Sequence, residues 1–373
     1  MPPIENSAQL ALIVIALGAA LGLIFGAVAH KTHFCAMGAV SDIVNMGSWA
    51  RMRMWLLAIA VAVAGANALD YFGLVDLSRS FYTVPRFPWL AYIVGGVLFG
   101  IGMTLASGCG SRNLVRLGGG NLKALVVLVF LAISADMTLR GVLAPIRVEW
   151  LGAAAFEFGQ GQDLSWLLAP LFGAGKRDLQ PWICVLIVSG LLVFVFRDRD
   201  FRADRNGQLG GVAIGLVIVA GWFVTGNLGY LAEDPDTLME TFVATRSARP
   251  ESFSFVGPVA NTLELLQFWT DKFTRMTFGV AIVLGTLAGS FGYAALTRRL
   301  HWESFASAAD TRNHIIGGVL MGFGGVTAVG CTVGQGITGL STLALGSILV
   351  WLSIVAGSSL TMILQYRRML REP

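Results

Sequence analysis

The chain has 373 residues, of which 55% are hydrophobic and 13% charged, and its formal net charge is +4. An ordinary soluble domain carries roughly 25% charged residues, so this composition excludes a soluble globule and requires a membrane as solvent. The basic excess does not point to nucleic acid, because the 26 Lys and Arg residues gather mainly at the ends of apolar runs, where they orient a membrane protein.

Nine spans are predicted, at 8–30, 53–75, 88–107, 122–143, 181–196, 209–228, 274–297, 314–330 and 342–365; a bilayer is crossed by about 20 apolar residues. The opening MPPIENSAQ has no basic region, so the first run reads as a span rather than a cleavable signal. Behind it comes His30-Lys31-Thr32-His33-Phe34-Cys35, three ligand types at a spacing poorly suited to tetrahedral zinc. Three stretches are too rich in glycine and too irregular for plain spanning helices: His33–Met46, Gly110–Gly120 and Thr332–Thr342. Such backbone is tolerated at membrane depth only inside protein or along a cavity, so each is predicted to be a re-entrant turn followed by a short helix. Asp136 and Arg140 stand four apart on the fourth span and are expected to pair. Cys184, on the fifth span, reads as an apolar filler.

The third and eighth spans end in two copies of one phrase. Residues 95–109 (GGVLFGIGMTLASGC) and 317–331 (GGVLMGFGGVTAVGC) agree at nine of fifteen positions, including Gly108-Cys109 and Gly330-Cys331. A weaker match lays Gly26–Gly38 over Gly215–Asn227, with Phe34 on Phe223 and Cys35 on Val224. The inside loops implied by the basic residues hold Lys31, Arg51, Arg53, Arg112, Arg116, Lys123, Arg197, Arg199, Arg202, Arg205, Arg298, Arg299, Arg312, Arg367, Arg368 and Arg371. The N-terminus is then outside and the C-terminus inside, and the two halves are inverted. The expected architecture is a single all-α polytopic membrane domain. Its first repeat spans 8–143, an external connection with the extra fifth span and a basic loop fills 144–208, and a second repeat covers 209–365 with an external insertion at 231–272.

The chemistry concentrates at the repeated turns. A helix that begins after a glycine turn aims unpaired N–H groups, worth roughly half a positive charge, back at the turn. Cys109 and Cys331 would place soft thiols there, with Gly108, Gly110 and Gly330 shaping the backbone, and Cys35 beside Phe34 fits the same path. The glycines of the runs before them are read chiefly as helix-packing surface. Asn113 and Gln335 follow their turns at matched positions and offer amide donors, or cap the short helix. Thr225 and Asn227, beside Gly226, are candidate donors to an oxyanion; Trp222 belongs either with them or to an interfacial belt. No chain of carboxylates suggests a proton relay. A pore without fixed charge and lined by helix N-termini favours an anion.

Together these motifs resemble the YeeE/YedE sulfur-transport family of bacterial inner-membrane proteins: Phe34-Cys35 after the first span, Gly108-Cys109, Trp222 with Thr225-Gly226, and Gly330-Cys331, over roughly residues 8–365. The resemblance implies uptake of thiosulfate through an hourglass-shaped protein of the inner membrane, with Cys35, Cys109 and Cys331 at its waist. It implies no enzyme activity and no cofactor or metal, and, besides lipid, a small cytoplasmic sulfurtransferase-like partner. Some relatives are linked to selenium instead. The rival readings are a membrane enzyme that keeps the sulfane sulfur as a cysteine persulfide, and a channel for a neutral solute.

Overall fold

The structure is a computed structural model that describes residues 7–173, 175–234, 238–271 and 274–370. Each predicted span finds a long helix: α1 (Ser7–Thr32), α3 (Ala50–Tyr71), α4 (Trp89–Leu105), α6 (Leu122–Leu139), α8 (Lys176–Phe196), α10 (Arg205–Phe223), α12 (Phe278–Leu296), α13 (Ala308–Thr327) and α14 (Leu345–Met369). Between them lie the shorter α2 (Ala36–Met46), α5 (Gly110–Gly118), α7 (Leu164–Phe172), α9 (Arg199–Ala203) and α11 (Val256–Gln267). The protein is an all-α polytopic membrane protein. Eight helical stretches are long and apolar enough to cross a bilayer by composition. The ninth, α13, falls short because its first two turns carry Asp310, Arg312, Asn313 and His314; there Lys123 Nζ reaches Asp310 at 3.0 Å.

Packing follows a regular scheme. α1 lies along α12 and α10 along α3; α4 lies along α14 and α13 along α6; α4 meets α13 and α1 meets α10 at the centre. Small residues permit this closeness, since lipid supplies no hydrophobic drive and helices associate by backbone-to-backbone packing. On the α4–α13 seam a Cβ added to Gly324 would stand 2.6 Å from the Gly95 carbonyl oxygen, and one added to Gly102 would stand 2.7 Å from that of Gly317. The glycines of the repeated phrase are therefore packing surface.

One end of the bundle carries the long connections, 72–88, 140–175 and 229–277; the other carries the short ones and most arginines. At the loop-rich end two small ribbons form, Arg86–Phe87 against Phe156–Glu157 and Tyr230–Leu231 against Thr241–Phe242. The insertion expected as an external cap at 231–272 does more than cap. Its second part dives into the bundle, where Phe253 and Phe255 are fully buried and pack on Phe25 at 5.4 and 5.2 Å, and α11 then lies against α6 and α12. Residues 235–237 and 272 of that segment lie outside those described.

Candidate functional site

Three helices stop inside the bundle in the same way. After α1, α4 and α13 the chain places one residue in the left-handed region: His33 (φ 52°), Ser107 (φ 54°) and Val329 (φ 57°). The next residue donates its N–H five positions back, Phe34 to the Ala29 carbonyl at 3.1 Å, Gly108 to Met103 at 2.8 Å and Gly330 to Gly325 at 2.7 Å. This is the Schellman ending, which satisfies carbonyls that a terminating helix would otherwise leave unpaired. The residue after it is a cysteine in every case, and each cysteine opens a new helix: Cys35 caps α2, Cys109 caps α5, and Cys331 precedes the short helix 332–341. The breaks predicted from glycine content are present. The left-handed residue two positions before each sulfur carries no compositional signal, and Val329, β-branched, is a genuine outlier there.

All three thiols are buried. Gly38 N–H donates to Cys35 Sγ and Gly334 N–H to Cys331 Sγ, both at 3.3 Å, so each sulfur sits on the N-terminal dipole of its own short helix. The Val333 and Phe255 N–H groups are also directed at Cys331. Cys109 Sγ instead lies 3.3 Å from Ser111 Oγ. Cys109 is within electrostatic range of both Cys35 and Cys331. Cys184 stands apart on α8, half-buried, its sulfur 3.9 Å from the Val63 carbonyl.

The matched amides brace these turns. Asn113 Nδ2 donates to the carbonyls of Gly108 and Cys109 at 2.8 and 3.1 Å, and Gln335 Nε2 to those of Ala328 and Val329 at 2.8 and 3.0 Å. Their donors are thus committed to the backbone that presents the thiols. Thr225 is likewise engaged: its hydroxyl contacts the Glu251 carbonyl and accepts the Glu251 N–H at 3.1 Å, pinning the inserted loop. Asn227 Nδ2 donates to the Leu74 carbonyl at 2.8 Å, Gly226 packs on Val75, and Trp222 Nε1 donates to Ser341 Oγ at 3.0 Å from a fully buried ring. Trp222 is therefore no belt residue. The chain does not break at Phe223–Val224, the counterpart of Phe34–Cys35; α10 runs on through a wide turn, Val224–Leu228. Phe34 stacks on Trp55 at 4.8 Å. Arg140 lies 3.5 Å from Asp136 as expected, but grips Glu264 with both guanidinium nitrogens.

A cavity of about 480 Å³ opens at the loop-rich end and reaches down to Gly330. Its walls include Arg140, Arg147, Arg246, Glu251 and Ser254. Glu264 engages Arg140 and Arg246. Arg147 donates only to the Thr138 and Leu139 carbonyls and meets no carboxylate among the described residues, so it keeps an uncompensated charge. Glu251 borders this space, yet lies deep enough that burial pushes its carboxyl up to about 7, against hydrogen bonds from Ser247 and the Arg246 backbone. On the far side of the thiols, Arg51, Arg112 and Arg116 surround Cys35 within electrostatic range. A small cavity bounded by Ala36, Trp55, Met103, Thr332 and Trp351 holds about 10 Å³, room for about one water. Among the described residues no group of three or more His, Cys, Asp or Glu side chains is placed to hold a metal ion. Trp55, Arg147 and Glu251, which border these spaces, were not singled out from the sequence, where nothing marks them.

A family model described as Sulphur transport matches residues 31–360. A protein of Escherichia coli (strain K12) named thiosulfate transporter TsuA is 28% identical over 326 residues, 86% of each chain. One of the same name from Spirochaeta thermophila (strain ATCC 700085 / DSM 6578 / Z-1203) is 25% identical over 352 residues, 91% of this chain and 96% of the relative.

Proposed function

The chain belongs to the Sulphur transport family, and from that premise we propose that it carries thiosulfate inward across a bacterial inner membrane, passing the anion by Cys331, Cys109 and Cys35 without a covalent intermediate. It is a transporter and not an enzyme. The observation that carries this reading is the trio of thiols on identically terminated helices, buried between two basic mouths. Thiosulfate has two negative charges, an oxygen-rich end and a soft terminal sulfur. Taking such an ion unsolvated into hydrocarbon costs tens of kcal/mol, so the path must supply donors. Helix N-termini suit the oxygens. A thiol is a weak donor that suits the sulfur and releases it again, as conduction requires.

In this reading the loop-rich end with its Arg147 vestibule is periplasmic, and the arginine-rich end with the C-terminus is cytoplasmic, consistent with the positive-inside rule. Residues 8–143 and 209–365 are inverted repeats joined through 144–208. The support is that exchanging α1 with α10, α3 with α12, α4 with α13 and α6 with α14 turns the α1–α12 pair into α10–α3 and the α4–α14 pair into α13–α6, and returns α4–α13 and α1–α10 to themselves. Gly95 on Gly324 becomes Gly317 on Gly102 in the same exchange. Cys35, Cys109 and Cys331 contact substrate; Gly108, Gly110, Gly330, Asn113 and Gln335 shape their turns; Phe34, Thr225 and Gly226 hold the surrounding walls. The basic cytoplasmic face suits a small sulfurtransferase-like partner. The test is uptake into proteoliposomes of thiosulfate carrying 35S in either the inner or the outer position. Both labels should accumulate equally; retention of the outer sulfur on protein with release of sulfite would make the molecule a persulfide-forming enzyme and end this proposal.

A further inference from the structure

A buried donor without an acceptor is destabilising, and native proteins keep few of them. Three stand along the thiol path. Tyr82 Oη has no hydrogen-bond partner among the described residues although the residue is 3% exposed, and it lies 3.5 Å from where a Cβ on Gly334 would be, beside the N–H that caps Cys331. The ring is held by Phe81 at 4.1 Å and by Trp222 at 6.3 Å, so the hydroxyl is aimed and not free to turn away. Thr332 Oγ1, directly after Cys331, is also unpaired at 1% exposure. Trp55 Nε1 is the third; its indole stacks on Phe34 next to Cys35. Thr332 and Trp55 also line one small cavity. Two of the donors thus stand by Cys331 and the third by the Phe34–Cys35 turn.

We propose that Tyr82, Thr332 and Trp55 are the oxyanion-holding residues of the path, donating in succession to the oxygens of the substrate while the thiols accompany its terminal sulfur. This deepens the thiosulfate reading and rests on it. The cavity of about 10 Å³ lined by Thr332 and Trp55 admits no such ion as it stands, so in this proposal the donors stay unpaired until the walls part around the anion. Uncharged donors suit this task, since a fixed cation there would hold a dianion too tightly to release it.

The experiment compares Tyr82→Phe and Thr332→Val, both nearly isosteric, with the native chain in proteoliposomes, and follows thermal unfolding of the purified proteins with and without thiosulfate. A hydrogen bond to a charged acceptor is strong enough that each variant should raise KM about tenfold or more. Because neither hydroxyl bonds to protein, the ligand-free unfolding midpoint should hold or rise, while the upward shift produced by thiosulfate shrinks. Native transport with both variants within twofold of the native KM would overturn the assignment and leave the thiosulfate reading intact. A midpoint that falls in the ligand-free variants would make the hydroxyls structural and overturn it equally. Absence of thiosulfate uptake by the native protein would instead remove the functional reading itself.

Discussion

Glu251 should give the protein a pH-dependent stability that one substitution erases. Its carboxyl is pushed up to about 7 by burial, against 4.5 for the ordinary group. Between those values the folded chain holds a proton that the unfolded chain has released, so stability is full below about 4.5 and falls as pH rises towards 7. At 1.36 kcal/mol per unit the ceiling is about 3 kcal/mol. Contact with the vestibule, where water screens the charge, brings the expected loss to about 2 kcal/mol. Glu251→Gln is neutral at every pH and should lack this term. The assay is thermal or denaturant unfolding of the detergent-solubilised protein from pH 4.5 to 8.5, taken as the difference between native and variant so that other titrating groups cancel. The two should match near pH 4.5, and the variant should be the more stable at pH 8. A difference that stays flat across the range would refute the reasoning, as would one in which the native chain gains on the variant with rising pH.

Replacing Cys109 or Cys331 by Ala should cut thiosulfate uptake about tenfold or more, whereas Cys184→Ala should leave it unchanged; transport assays of the three variants check this. Gly324→Ala would set a methyl 2.6 Å from backbone atoms of α4 that cannot yield, and should destabilise by about 2 kcal/mol, read as a lower unfolding midpoint. Gly292→Ala on α12 meets nothing within 4 Å and should be neutral or raise the midpoint, through a helix propensity gain of up to about 1 kcal/mol. Val329→Gly should cost less than deleting an ordinary core valine, because relief of about 1–2 kcal/mol of left-handed strain offsets the loss of a side chain that is 37% exposed; an unfolding midpoint close to native checks this.

Hydropathy and repetition carried most of the architecture. The nine helices, the three breaks and the pairing of Cys109 with Cys331 follow from apolar length, glycine content and the phrase shared by 95–109 and 317–331. What escaped was whatever depends on a single residue's conformation or on a distant contact. Nothing in His33, Ser107 or Val329 announces a left-handed backbone, because that conformation is imposed by the ending it completes. The 251–267 segment is flanked by charged loops and reads as an exterior cap, yet Phe253 and Phe255 supply apolar surface enough to draw it in beside Phe25. Asn113 and Gln335 stand out by their matched spacing, but whether an amide faces a pore or its own turn is settled by which carbonyls lie in reach.

The three Schellman endings explain how Cys109 and Cys331 sit deep in the bundle with partial positive charge beside them, while the arginines stand near Cys35 at the inner mouth. Such an ending consumes the loose carbonyls of the stopping helix, so the negative end of its dipole is quenched where the next helix begins. What remains exposed at the junction is the positive end alone, with a cysteine seated on it. A mid-membrane break therefore presents an anion with partial positive charge on one side and little opposing negative charge on the other. Arginines gather at the mouths, at the outer vestibule and around Cys35 at the inner end. A full cation at Cys109 would hold a divalent ion tightly enough to halt it, and bare apolar walls would bar its entry. Half-charges spaced along the path lie between those limits, and three copies of one backbone ending are an economical way to supply them.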